Sequence, residues 1–230
     1  MKLGIIGAME LEVETLLAQM TEKTCTEKAG SHFYEGKLEG TEAVVVRCGI
    51  GKVNAALCAQ ILCQSFEVTH IINTGIAGSL SNDLDIGDLV ISRDAMYHDF
   101  DCCHFGYTPG QVPGLPASFQ ADEVLIGYAK KAVEAVHPGH GKEGRVASGD
   151  QFVSSDEQKQ KIIAVTGAVC TEMEGAAIAQ TAFRNGVPFV ILRAISDKAD
   201  NSVQMDYPVF EQQAAHRCAA VTMTLAQMMK

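Results

Sequence analysis

Four short stretches place acidic, hydroxyl or uncovered backbone groups directly after an apolar run, where an α/β sheet presents residues at its carboxyl edge. In the first, Gly4-Ile5-Ile6-Gly7-Ala8-Met9-Glu10-Leu11-Glu12 reads as strand, glycine turn and helix, but it is not a GxGxxG motif. Acidic residues fill the turn where a dinucleotide would seat its pyrophosphate, which disfavours that cofactor. Glu10 and Glu12 then have two readings, a complement to the positive end of a helix or a catalytic carboxylate. The second stretch, Asn73-Thr74-Gly75-Ile76-Ala77-Gly78-Ser79, offers backbone N–H groups with little side-chain cover, suited to a close ligand or simply to a tight turn. In the third, Thr171-Glu172-Met173-Glu174 opens a run of small residues and also fits a capping box, Thr171 with Glu174. The fourth, Arg193-Ala194-Ile195-Ser196-Asp197, ends the most apolar run with an acid behind a serine, a pattern also common in plain turns.

Between these lies His98-Asp99-Phe100-Asp101-Cys102-Cys103-His104, which crowds potential metal ligands into one loop. Zinc motifs pair their ligands in two separated sets, and no second set follows downstream, so the expectation is a loop and no metal. The eight cysteines contain no CxxC pair and several sit within apolar runs, as Cys48 does, so they are expected to be reduced core residues.

The elements that must hold these groups follow from periodicity. Runs at Lys2 to Ile6, Ala43 to Cys48, Thr69 to Asn73, Asp88 to Ser92, Gly144 to Ser148, Ala168 to Thr171 and Phe189 to Ile195 are largely apolar on successive residues, as strands covered on both faces are. Helical spacing occupies Glu10 to Met20, Lys52 to Ser65, Asp122 to Val136, Asp156 to Ala164, Glu172 to Arg184 and about Val209 to Met229. Two glycine-punctuated runs, Phe33 to Gly36 and Lys37 to Thr41, predict an antiparallel meander and hence a mixed sheet. The expectation is one α/β domain over 1–230, with a long functional or interface loop around Thr108 to Pro116.

Composition narrows the partners. In 230 residues, 47% are hydrophobic and 20% charged, as in a folded globular chain. Lys and Arg number 18 against 28 Asp and Glu, a net charge of −10 that opposes nucleic acid and anionic lipid. The acidic pair Glu10 and Glu12 interrupts any export signal, and no apolar run is long enough for a membrane span, so a cytoplasmic protein is expected.

Taken in order, Gly4-Ile5-Ile6-Gly7-Ala8-Met9-Glu10 with Glu12, Gly49-Ile50-Gly51-Lys52-Val53, Tyr97-His98-Asp99, Phe105-Gly106-Tyr107, Ser148-Gly149-Asp150, Glu172-Met173-Glu174 and Arg193-Ala194-Ile195-Ser196-Asp197 resemble the 5′-methylthioadenosine/S-adenosylhomocysteine nucleosidases of the nucleoside phosphorylase superfamily. The resemblance spans nearly the whole chain. It implies a three-layer α/β/α sandwich with a central mixed sheet, a homodimer, no cofactor, and hydrolysis of the bond between adenine and a 5′-thio-substituted ribose. It also implies roles: Asp197 as the acid that protonates adenine at N7, oriented by Ser196, and Glu12 as the base for water. Glu174 would hold the 2′- and 3′-hydroxyls with Met173 beside the sugar, Phe152 would stack on the base, Val153 would read its edge, and Ile50 would line the 5′ pocket. Gly78, Glu172, Arg193 and Tyr207 join the substrate contacts, and Cys102, Phe105 and Pro113 belong to the part lent to the partner subunit. Ile76, Tyr207 and Cys102 depart from residues common in that family, which bears on the water network and the 5′ preference.

Three rivals stand beside this expectation. A purine nucleoside phosphorylase needs clustered arginines for phosphate, yet only Arg93 and Arg193 stand near strand ends, and Glu12 would repel the anion. A nucleoside sensor without turnover would be expected to have lost one of Glu12, Glu174 or Asp197. Hydrolysis of another adenine nucleoside, such as 5′-deoxyadenosine or aminodeoxyfutalosine, differs only in an apolar 5′ pocket that discriminates weakly.

Overall fold

The computed structural model describes residues 1–200 and 207–230, the side chain of Tyr207 excepted. The chain begins with β1 (Lys2–Gly7), buried from Leu3 to Gly7, followed by α1 (Glu10–Gln19). Next come β2 (Thr21–Lys28), β3 (Ser31–Leu38), β4 (Thr41–Arg47) and α2 (Lys52–Ser65). The long β5 (His70–Ser79) and β6 (Leu89–Tyr97) lead into a loop carrying one 3-10 turn, Cys103–Phe105. A two-residue β7 (Phe119–Gln120), α3 (Glu123–Val136), β8 (Gly141–Ser148), α4 (Asp156–Thr166), β9 (Cys170–Glu172), α5 (Gly175–Asn185), β10 (Phe189–Asp197) and α6 (Tyr207–Met228) complete it.

The strands form one mixed sheet. β1 pairs in parallel with β4 and β5, and β5 with β10, while β3 and β2 extend the far side antiparallel. β10 pairs antiparallel with β6, β6 parallel with β8, β8 parallel with β9, and β9 antiparallel with the end of β5. The pairings β5–β10–β6–β8–β9–β5 therefore close on themselves, and this end of the sheet curls into a ring. Helices cover both sides: α6 packs on β5, β10, α1 and α3, while α2 packs on α5 and β1. The mixed α/β architecture expected from the sequence is present.

Some elements differ from expectation. The two runs over Phe33 to Thr41 are one strand, β3, and the antiparallel meander is β2–β3–β4, with β3 turning at Glu39 and Gly40 into β4. β2, Thr-Glu-Lys-Thr-Cys-Thr-Glu-Lys, is exposed throughout, a charged edge strand with no apolar pattern to betray it. The eight cysteines are free thiols, but they are not all core residues: Cys25 lies exposed on β2, Cys103 is exposed in the loop, and Cys63 and Cys102 are half-buried. No described helix is long and apolar enough to cross a membrane.

Two local devices matter for function. Ile195 pairs with Ala77 and Asp197 with Gly78, so Ser196 is an extra residue in β10, a bulge that redirects the strand end. Gly51, with φ of 100°, ends the β4–α2 turn and caps α2 in a backbone conformation that a side chain resists.

Candidate active site

The carboxyl ends of β1, β5, β9 and β10 and the start of α1 converge on one cleft of about 260 Å³. It is lined by Glu12, Ile50, Gly78, Phe152, Val153, Glu172, Met173, Glu174, Ser196 and Asp197, ten of the residues singled out from sequence. The lining also takes in Ala8, Met9, Ile76, Ala77, Gln151, Thr171 and Glu211, none of which was assigned a contact. Apolar side chains that continue a motif carry no chemical signal of their own, and Glu211 on α6 lies far from every motif.

Glu12 is 4% exposed and accepts backbone N–H bonds from Ala8 at 2.6 Å, Met9 at 2.9 Å and Ile76 at 3.0 Å. Reaching back to the amides before α1, it joins the helix-end role to a place in the cleft wall; the two sequence readings describe one side chain. Burial raises its pKa above the ordinary carboxylate value, against the pull of the Arg193 guanidinium and of the three amides. A carboxylate so placed is suited to accepting a proton.

Asp197, half-buried, accepts from the Ser196 hydroxyl at 2.9 Å and the Ala199 amide at 2.7 Å. Gly78 makes room for it, since a Cβ there would stand 2.9 Å from Asp197 Oδ1 and 2.9 Å from the Ala199 Cβ. The bulge at Ser196 and the bare backbone of Gly78 thus aim one acid into the cleft.

Glu174 sits at the N-cap of α5 but makes no capping bond; its Oε1 instead accepts the Gly51 amide at 2.8 Å. The capping box of Thr171 with Glu174 is not formed. Glu172 replaces it, accepting the amides of Glu174 at 3.1 Å and Gly175 at 2.8 Å, while Ser148 takes the Ala176 amide at 2.7 Å and donates to Glu172. Burial would raise the Glu172 pKa, but Arg193, Ser148 and the Gly175 amide together hold it below the ordinary value. Glu174 lacks such compensation: burial first, then the charge of Glu172, push its pKa up to about 8.

Arg193 does not line the cleft. It is 2% exposed behind the floor, donating to Glu172, to Asn73 and to the Leu192 carbonyl. Its role is to neutralise carboxylates from beneath, and stripping a buried pair of one partner costs about 3–5 kcal/mol. Among the described residues no Lys, Arg or His lines the cleft.

Cys102, Phe105 and Pro113 also stay outside the cleft; Phe105 is 76% exposed. Tyr207 heads α6, and its side chain lies outside the described residues. In the His98 to His104 loop, Asp99 is committed to Lys52, with Nζ at 2.8 and 2.6 Å, and to the Asp150 amide at 2.9 Å. Asp150 in turn accepts the Lys52 amide at 2.8 Å, so this pair staples the Gly51 turn that serves Glu174. Among the described residues no three or more His, Cys, Asp or Glu are grouped to hold a metal.

Comparison with known proteins gives the same direction. Residues 2–227 match the model of the phosphorylase superfamily. A 5′-methylthioadenosine/S-adenosylhomocysteine nucleosidase of Exiguobacterium sp. strain AT1b is 40% identical over 99% of this chain and 98% of its own. The crystal structure of the Neisseria meningitidis nucleosidase of that name, in complex with methylthio-immucillin-A, superposes with a TM-score of 0.95 at 39% identity, covering 99% of both chains. A futalosine hydrolase of Helicobacter pylori superposes at 0.93 with 33% identity, over 99% of this chain and 97% of its own.

Proposed function

The chain belongs to the phosphorylase superfamily and, within it, to the 5′-methylthioadenosine/S-adenosylhomocysteine nucleosidases, and we propose that its cleft hydrolyses the N-glycosidic bond of these nucleosides with Asp197 as acid and Glu12 as base. The activity is that of an N-glycosyl hydrolase releasing adenine and a 5′-thio-substituted ribose. The observation that carries the choice of water over phosphate is charge: five acidic side chains, Glu12, Glu172, Glu174, Asp197 and Glu211, line the cleft, and no cationic side chain among the described residues does. Arg193 is already committed to Glu172 and Asn73, and Arg93 is an exposed residue of β6 beside Asp94. A phosphate nucleophile would meet acidic groups and no cationic side chain to offset its charge.

The steps follow from the lining. Phe152 stacks on adenine and Val153 reads its edge; Gly78 and the Ser196 bulge let Asp197 reach the base. Asp197 gives its proton to N7 as the electron pair of the C1′–N9 bond moves onto adenine. Positive charge then grows on the sugar, and Glu174, holding the 2′- and 3′-hydroxyls with Met173 alongside, stabilises it selectively. A water attacks C1′ and passes its proton to Glu12. Ile50 and the neighbouring Met9 and Ile76 make the 5′ end apolar, suited to a thioether.

We also read the chain as a single-domain homodimer. Ile50, Val53 and Leu57, at the start of α2, are 53%, 71% and 48% exposed, and Phe152 at the cleft mouth is 62% exposed. These apolar surfaces, with Phe105 and Pro113 standing outside their own cleft, favour closure of each site by its partner's loop, including Cys102. The similarity to a futalosine hydrolase favours a second adenine nucleoside, aminodeoxyfutalosine, as a further substrate of the same cleft. The test is an assay of the purified protein on methylthioadenosine, S-adenosylhomocysteine and inosine. Adenine released from the first two and no hypoxanthine from the third is expected; cleavage of inosine alone would refute the reading.

A further inference from the structure

Glu172 and Glu174 are two residues apart, both line the cleft, and only one of them is compensated. Glu172 receives the Ser148 hydroxyl, the Arg193 guanidinium and the amides of Glu174 and Gly175, a full set of donors for two carboxylate oxygens. Among the described residues Glu174 receives one donor, the Gly51 amide, contributed from 123 residues away. A single buried guanidinium thus faces three buried carboxylates, Glu12, Glu172 and Glu174, and Glu172 holds it. We propose that Glu172 is a positioning residue for the reaction: clamped by Ser148, Arg193 and the first amides of α5, it fixes Glu174 against Gly51 and opposes a second negative charge there, so that Glu174 carries a proton in the empty cleft and gives it up to solvent when a cation-like sugar arrives.

This rests on the reading of Glu174 as the sugar-binding carboxylate. Its physical content is selectivity. An ionised Glu174 favours the cation-like transition state over the neutral substrate, and Glu172 sets how strongly that ionisation is opposed before positive charge appears. Among the groups facing Glu174 from the packed elements, Glu172 and Glu12 oppose its charge, and only Arg193 and the Gly51 amide favour it. Glu12 from α1 and the Cys48 thiol from the β4–α2 turn bring no cation to Glu174, and Arg193 from β10 is shared with Glu172. The Cys170 thiol of β9 and His98, whose own pKa is lowered chiefly by burial, face Glu172 without replacing its donors. Among the described residues Ser148 is the β8 side chain that bonds both Glu172 and the Ala176 amide at the start of α5.

The experiment is a carboxyl NMR titration of the intact protein with ¹³C-labelled glutamate, without substrate, the Glu174 signal being assigned by its loss in Glu174→Gln. The wild type should titrate near the value of about 8 given by its surroundings. Glu172→Gln should lower that midpoint by at least about one pH unit. Ser148→Ala, which loosens the clamp but keeps the charge, should leave the midpoint raised and cut kcat/KM for methylthioadenosine about tenfold. A wild-type midpoint in the ordinary carboxylate range, or one unmoved in Glu172→Gln, overturns the proposal. Should Glu172→Gln fail to fold, the wild type decides alone. Calorimetry at pH 7 in two buffers with a pyrrolidine cation analogue of the nucleoside should show proton release, and none would overturn it. Because the titration needs no substrate, a lack of nucleosidase activity would fall on the functional reading and not on the titration.

Discussion

A Cβ placed on Gly75 would stand 2.4 Å from Oε1 of Glu12 and 3.2 Å from Nη1 of Arg193. The bare backbone of β5 is therefore the wall against which the proposed base and its buried counter-charge are held. Gly75→Ala should lower kcat at least about 100-fold, since a displaced base loses its alignment with water. Gly127 on α3, where a Cβ meets nothing within 4 Å, is the control. Gly127→Ala should keep full activity and gain about 0.5–1 kcal/mol in denaturant titration.

Asp197 and Glu12 divide the proton work, so their variants should lose turnover and keep binding. Asp197→Asn should reduce kcat by about 10³-fold while the dissociation constant of adenine changes no more than a few-fold. Stopped assays and calorimetry on the same preparation check both. An unchanged rate would remove Asp197 from the acid role.

The raised carboxyls give stability a direction with pH. A group whose folded pKa lies above its unfolded value binds more protons when folded, so its contribution is lost as pH rises from about 4.5 through the folded value. For Glu174 that window runs up to about 8, and Glu12 acts in the same sense. Glu172, held low, contributes above its ordinary value of 4.5 and is lost only on further acidification. The Tm of the empty protein should therefore fall between pH 5 and 8.5, and Glu174→Gln should flatten the decline, each pH unit between the folded and unfolded values being worth at most about 1.4 kcal/mol.

The exposed start of α2 makes the dimer testable. Val53→Asp with Leu57→Asp should yield a monomer by sedimentation and cut kcat/KM at least about tenfold, because the partner's loop no longer closes the cleft. A wild type that sediments as a monomer with full activity would contradict the shared site.

Much of this was legible in the sequence, for reasons that can be named. Lys52–Ser65 is helical over the span its apolar spacing predicts, and Leu3–Ile6 is buried on successive residues as a two-sided strand must be. Motifs at strand ends converge because an α/β sheet gathers those ends in one place. What stayed hidden depends on distance. Nothing near Thr171 reveals that Glu172 displaces Glu174 as the cap of α5, since the deciding partners are Ser148 and Arg193. Arg193 belongs under the floor and not in the cleft because Asn73 and Glu172 meet it there. The strand β2, all polar except Cys25, has no periodicity to read, and the closure of β5 on β10 is a property of pairing, not of either segment.

The claim that water, and not phosphate, is the nucleophile is central. Purified protein incubated with methylthioadenosine, with and without phosphate, should give adenine and free methylthioribose at the same rate in both. Methylthioribose 1-phosphate, formed only when phosphate is present, would contradict the account.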